Sequence, residues 1–158
     1  MNQNVKSIIA KLPKAEDRES GVISEIIPGK LYLSCCIGAM DSLRLEGRNI
    51  TRIVNCTDDI ACFFPDKFTY MKITLDDYYT APIENYFDEV YNFIEGNSGG
   101  ATLVHCRAGV SRSSTLVIAY VGKRYRMKFP EAYEFVHNKR KFISPNRGFC
   151  CKLINYLK

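Results

Sequence analysis

Residues 101–121 constrain this chain more than any other stretch. The apolar run Ala101-Thr102-Leu103-Val104 leads into His105-Cys106-Arg107-Ala108-Gly109-Val110-Ser111-Arg112-Ser113, and a second apolar run extends from Leu116 to Val121. A strand, a loop of small residues and a buried helix are expected in that order. A loop that closes on a helix N-terminus turns several backbone N–H groups towards one point and adds the positive end of the helix dipole, which makes an anion cradle. Cys106 would then lie at its base. Such a field favours thiolate and lowers a cysteine pKa from about 8.5 towards roughly 4 to 6. Arg107, Ala108, Gly109, Val110 and Ser111 line the expected cradle, and Arg112 adds a planar guanidinium able to grip two oxygens of a phosphate.

The remaining pattern alternates strands with helices. Strands are expected at 31–34, 51–56, 68–75 and 101–105. The second and the last are short β-branched runs without a polar face, as in strands covered on both sides. Ile83, Phe87, Val90 and Ile94 form one helical stripe, with Gly96 as its stop. Residues 113–121 are apolar almost all round, the pattern of a buried central helix. Pro130 and Pro145 each suit a first helical position, the latter behind Ser144 as cap. The expected fold is α/β, a mostly parallel central sheet flanked by helices on both faces. A chain of 158 residues makes one domain that buries about two-thirds of its unfolded surface. Residues 1–20 are expected to be a tail or a short helix broken at Pro13, and 21–158 the domain that carries the cradle.

Composition narrows the setting. The seven cysteines are odd in number, include the adjacent pairs Cys35-Cys36 and Cys150-Cys151, and sit mainly in apolar runs. That suits a reducing cytoplasm or nucleus better than a disulfide framework. No Cys-x-x-Cys spacing exists and the two histidines stand apart, so no metal and no cofactor are expected. Signal-peptide, membrane-span and lipidation patterns are not seen. The formal charge of +5 suits an enzyme handling phosphate without requiring it. The basic stretches 123–128 and 139–141 are read as solvated helix faces rather than nucleic-acid contacts.

The segment from His105 to Ser113 resembles the signature of the cysteine-dependent protein tyrosine phosphatases, and its Ser-Arg-Ser ending followed by Thr115-Leu116-Val117-Ile118-Ala119-Tyr120 looks most like the dual-specificity subgroup. Leu31-Tyr32-Leu33-Ser34, Arg52-Ile53-Val54-Asn55 and Ser144-Pro145-Asn146-Arg147-Gly148-Phe149 extend the resemblance over about residues 22 to 157. It implies a protein tyrosine phosphatase-like fold of the small, atypical, single-domain type, acting as a monomer on phosphorylated proteins through a phosphocysteine intermediate.

Attack by thiolate on phosphorus needs an acid for the departing oxygen. In the resembled family that acid is an Asp about thirty residues before the nucleophile, and Asp76 and Asp77 stand there. Strand parity through Met71, Ile73 and Leu75 favours Asp77. The resemblance further implies that Ser113 stabilises the sulfur as leaving group and that His105 orders the loop backbone and helps set the thiolate pKa. It also implies that Asn146 braces the phosphate loop or the acid loop, while helix capping is an equally simple reading of Asn146. Cys56 is expected near Cys106, as an inert core residue or as its redox partner. Two further readings stay open: a phosphatase of phosphoinositides or other non-protein phosphates, and a pseudophosphatase that binds phosphoproteins without cleaving them.

Overall fold

The computed structural model describes residues 21–158; the tail or helix expected over residues 1–20 lies outside them. Five strands, β1 (Ile23–Ile27), β2 (Leu31–Ser34), β3 (Ile50–Asn55), β4 (Thr69–Lys72) and β5 (Ala101–His105), form one sheet in the order β1-β2-β5-β3-β4. Every pairing is parallel except that of β1 with β2. The helices are α1 (Ser42–Gly47), α2 (Phe87–Glu95), α3 (Arg112–Tyr125), α4 (Phe129–Lys139) and α5 (Arg147–Tyr156).

Strand parity divides the core in two. Leu31, Leu33, Val54 and Val104 face a large cluster with the apolar stripes of α2, α3, α4 and α5. Tyr32, Ile53, Ala101 and Leu103 face a smaller one closed by Leu45 of α1 and by Phe68. Both parities are therefore dry, which is why β5 and most of β3 carry no polar face. Each fully buried Leu, Ile or Val contributes about 1.5–3 kcal/mol, so the central strands and α3 anchor the fold. Residues Arg112 to Gly122 of α3 are all buried.

Register sets the position of the site. Ser34 and Asn55 both pair with His105, and Asn55 pairs with Lys72. Four parallel strands thus end level, and Cys35, Cys56, Cys106 and Ile73 leave the same edge. Ligand sites of α/β sheets lie beyond this carboxyl edge.

The structure departs from the sequence reading in several places. The edge strand β1 is an addition. The expected strand over 68–75 pairs only from Thr69 to Lys72, although the N–H of Ile73 still bonds Asn55 O at 2.9 Å. The stripe over 83–94 splits into a 3-10 turn, Ile83–Tyr86, and α2. Pro130 is the second residue of α4, after Phe129. Pro145 lies outside α5, whose cap is Asn146 in place of Ser144: the Asn146 side chain accepts from Phe149 N at 2.9 Å.

Candidate active site

Between β5 and α3 the chain closes a loop around the Cys106 sulfur. A trans peptide points its C=O and the following N–H in opposite directions, so an outward carbonyl means an inward amide. Cys106 O accepts from the His105 ring at 3.2 Å, and Arg107 O from Cys36 N at 3.0 Å. Gly109 O accepts from Arg140 Nε at 3.0 Å. Val110 O accepts from Ser144 N at 2.8 Å and Ser114 Oγ at 2.6 Å. Ser111 O is held by Thr115 N and Oγ1. The amides of Arg107, Ala108, Val110, Ser111 and Arg112 consequently face inwards, and Gly109 N itself donates to Cys106 Sγ at 3.3 Å. Gly109 is required here, at φ 67, because a Cβ would lie 2.7 Å from the carbonyl carbon and oxygen of Ser34.

Cys106 is 2% exposed. Burial alone would raise its pKa, but a hydrogen bond from Cys56, the charge of Arg112 and a hydrogen bond from Ser113 outweigh it and hold the thiol well below its ordinary value. Ser113 Oγ is 3.0 Å from the sulfur. Cys56 is pushed up by burial and by its hydrogen bond to Cys106, so it stays a thiol. Its single proton can also reach His105 O at 3.1 Å, and serves one acceptor at a time. His105 is fully buried and held neutral, its pKa brought down to about 4 by burial. Because Nδ1 faces a carbonyl oxygen, the proton is on Nδ1. The ring therefore orders the loop without adding charge to it.

Arg112 is anchored by Nη1 to Leu75 O at 2.8 Å. Its buried Nε has no hydrogen-bond partner among the described residues, an arrangement an oxyanion seated in the loop would complete. Arg107 lies in the ring by its backbone, while its side chain pairs with Asp59.

Asp77 is exposed yet fixed at the rim. Its Oδ1 accepts from Ser111 Oγ at 2.6 Å and from Asn146 Nδ2 at 3.0 Å. Asn146 thus bonds Asp77 and caps α5 with the same side chain. The α5 N-terminus can come this close only because residue 148 is glycine: a Cβ there would overlap the backbone of Tyr79. Parity continues through buried Ile73 and Leu75. Asp76 is exposed and makes no such contact.

The reading of the basic stretches needs one correction. Lys123 and Arg124 do stand on an exposed face of α3, where they pair with Asp88 and Glu95. Arg140 belongs to no solvated face at all: it is 2% exposed and donates to Gly109 O in the loop around Cys106. Its signal was in the sequence, since Arg140, the residue that follows α4, continues the four-residue spacing of buried Ala132 and Val136, and its N–H still bonds Val136 O at 2.9 Å. Among the described residues no group of His, Cys, Asp and Glu is arranged to hold a metal. No helix there is long and apolar enough to cross a membrane.

Residues 31–158 match the family model described as dual specificity phosphatase, catalytic domain. The chain is 46% identical over 132 residues to human dual specificity protein phosphatase 14, covering 82% of this chain and 67% of that one. It is 41% identical over 138 residues to MAP kinase phosphatase with leucine-rich repeats protein 1 of Dictyostelium discoideum, covering 87% of this chain but 16% of the relative's length. The crystal structure of human tyrosine phosphatase-like serine/threonine/tyrosine-interacting protein superposes with a TM-score of 0.79 at 34% identity, covering 85% of this chain and 94% of that one.

Proposed function

The chain belongs to the dual specificity phosphatase catalytic-domain family, and from that premise we propose that it hydrolyses phosphotyrosine and phosphoserine or phosphothreonine in proteins through a phosphocysteine intermediate. The observation that carries this reading is the Cys106 sulfur, which accepts from Gly109 N at 3.3 Å at the base of a loop whose amides face inwards, beside the Arg112 guanidinium that favours its thiolate form. An ester phosphoryl group seated there meets N–H donors on its equatorial oxygens. Cys106 Sγ attacks phosphorus, the bond to the ester oxygen breaks, and Asp77 gives that oxygen its proton. Water then attacks phosphorus and loses a proton to Asp77, while the S–P bond breaks and Ser113 donates to the returning thiolate. Arg112 and the amides supply the charge stabilisation throughout.

A phosphoprotein is favoured over a phosphoinositide as substrate. Ala108 and Val110 add no cation to the loop, and the Arg107 side chain is engaged by Asp59. We place the domain as a monomer in the cytoplasm or nucleus; seven cysteines that form no disulfide among the described residues suit a reducing compartment. The test is release of phosphate from phosphotyrosine peptide, phosphothreonine peptide and a phosphoinositide panel in chelator. Turnover of both peptides and its loss in Cys106→Ser are expected. Turnover of phosphoinositides alone, or of nothing while phosphopeptide still binds, overturns the reading.

A further inference from the structure

Arg140, at the C-terminal end of α4, places its guanidinium against the back of the phosphate loop. Nε donates to Gly109 O at 3.0 Å, and Nη1 donates to Ser24 Oγ at 3.0 Å and Val22 O at 3.2 Å on the edge-strand side. The guanidinium carbon sits 4.3 Å from the centroid of the Phe142 ring. A Cβ on Gly109 would overlap Arg140 Nη2, so the contact with the loop backbone is direct. Burying a guanidinium is costly unless its donors are used, and a position needing only packing would be served by Leu or Met.

The use lies in which peptide is held. Arg107 O and Val110 O take backbone amides, Cys36 N and Ser144 N. Gly109 O takes a side chain, from the residue that follows α4, and it belongs to the residue with the least intrinsic restraint on its dihedrals. Rotation of the Gly109–Val110 peptide would turn a carbonyl oxygen into the anion site and the Val110 N–H out of it. We propose that Arg140 is a positioning residue that locks this peptide with the Val110 N–H facing the substrate phosphoryl group, and thereby sets oxyanion affinity from behind the loop. The proposal rests on the phosphatase reading of that loop.

Arg140→Met keeps an apolar stem against Phe142 and removes the donors. Its affinity for orthovanadate should fall at least about tenfold. Alkylation of Cys106 by iodoacetamide should need higher pH, because a rotated peptide sets a carbonyl dipole against the thiolate. KM should rise more than kcat falls, and Arg140→Lys should recover part of each. Lys139→Met, on the exposed face of the same helix, should match wild type. A folded Arg140→Met with wild-type vanadate affinity and alkylation profile overturns the proposal and leaves Arg140 a packing residue. Should Arg140→Met not fold, Ser24→Ala removes one anchor of the guanidinium: weaker vanadate binding supports the proposal, and unchanged binding and alkylation overturn it. A wild-type protein that binds no vanadate and alkylates Cys106 no faster than its other cysteines defeats the phosphatase reading instead.

Discussion

Replacing His105 by Asn should flatten the acid side of the stability curve. The ring is fully buried and its pKa is lowered from 6.5 to about 4, while in the unfolded chain it returns to about 6.5. A base whose folded pKa is depressed binds its proton more readily when unfolded. Its contribution is therefore intact above about pH 6.5 and is lost progressively as pH falls towards 4. The difference, 6.5 − 4, is 2.5 pH units, and at 1.36 kcal/mol each the loss approaches roughly 3 kcal/mol. Asparagine places an N–H near the position of Nδ1, so the bond to Cys106 O can survive without a titrating group. Urea unfolding of both proteins between pH 7.5 and 4 measures the effect. Carboxylates with lowered pKa, such as Asp88 and Glu95, titrate in both and cancel in the difference. The wild type should lose roughly 3 kcal/mol more than His105→Asn over that range. Parallel pH dependences would refute a neutral, desolvated His105.

Asp77→Asn should lower kcat for phosphotyrosine peptide by about 10² or more and flatten the basic limb of the pH–rate profile, with a smaller effect on esters whose leaving groups depart as anions. Asp76→Asn should be far milder in the same assay, and the reverse order would move the acid by one residue. Arg112→Lys should cost about 10² to 10³ in kcat/KM despite the retained charge, since one ammonium cannot both bond Leu75 O and fork two phosphate oxygens. Gly109→Ala should lose at least about 2 kcal/mol in chemical denaturation, from the left-handed backbone and the encounter with Ser34. Vanadate binding should weaken with it.

What could be read from the chain follows physical signal strength. β5, the phosphate loop and α3 are legible because two apolar runs with different periods flank a run of small and charged residues. The place of Asp77 at the rim of the loop is legible because strand parity persists through Leu75 beyond the last paired residue of β4. β1 is not, since Ser24 and Glu25 interrupt a five-residue edge strand. The α5 boundary is missed because proline is an equally good residue just before a cap, and only Asn146 places its oxygen on Phe149 N. Arg140 is missed because a charge between two lysines reads as solvated. Only the i, i+4 stripe through Ala132 and Val136 marks it as buried, and its acceptors, Gly109 O and Ser24 Oγ, come from elements far away in sequence.

The central claim is that Cys106 carries the phosphoryl group. Ser113→Ala removes the hydroxyl 3.0 Å from the sulfur and should slow release of the thiolate in the second step, so the intermediate accumulates. Mixing this variant with p-nitrophenyl phosphate and quenching in denaturant should give a burst approaching one nitrophenol per chain, together with one phosphoryl group mapped by mass spectrometry to Cys106. Steady turnover without a burst or a covalent phosphoryl group, or a phosphoryl group on any other residue, would contradict the account.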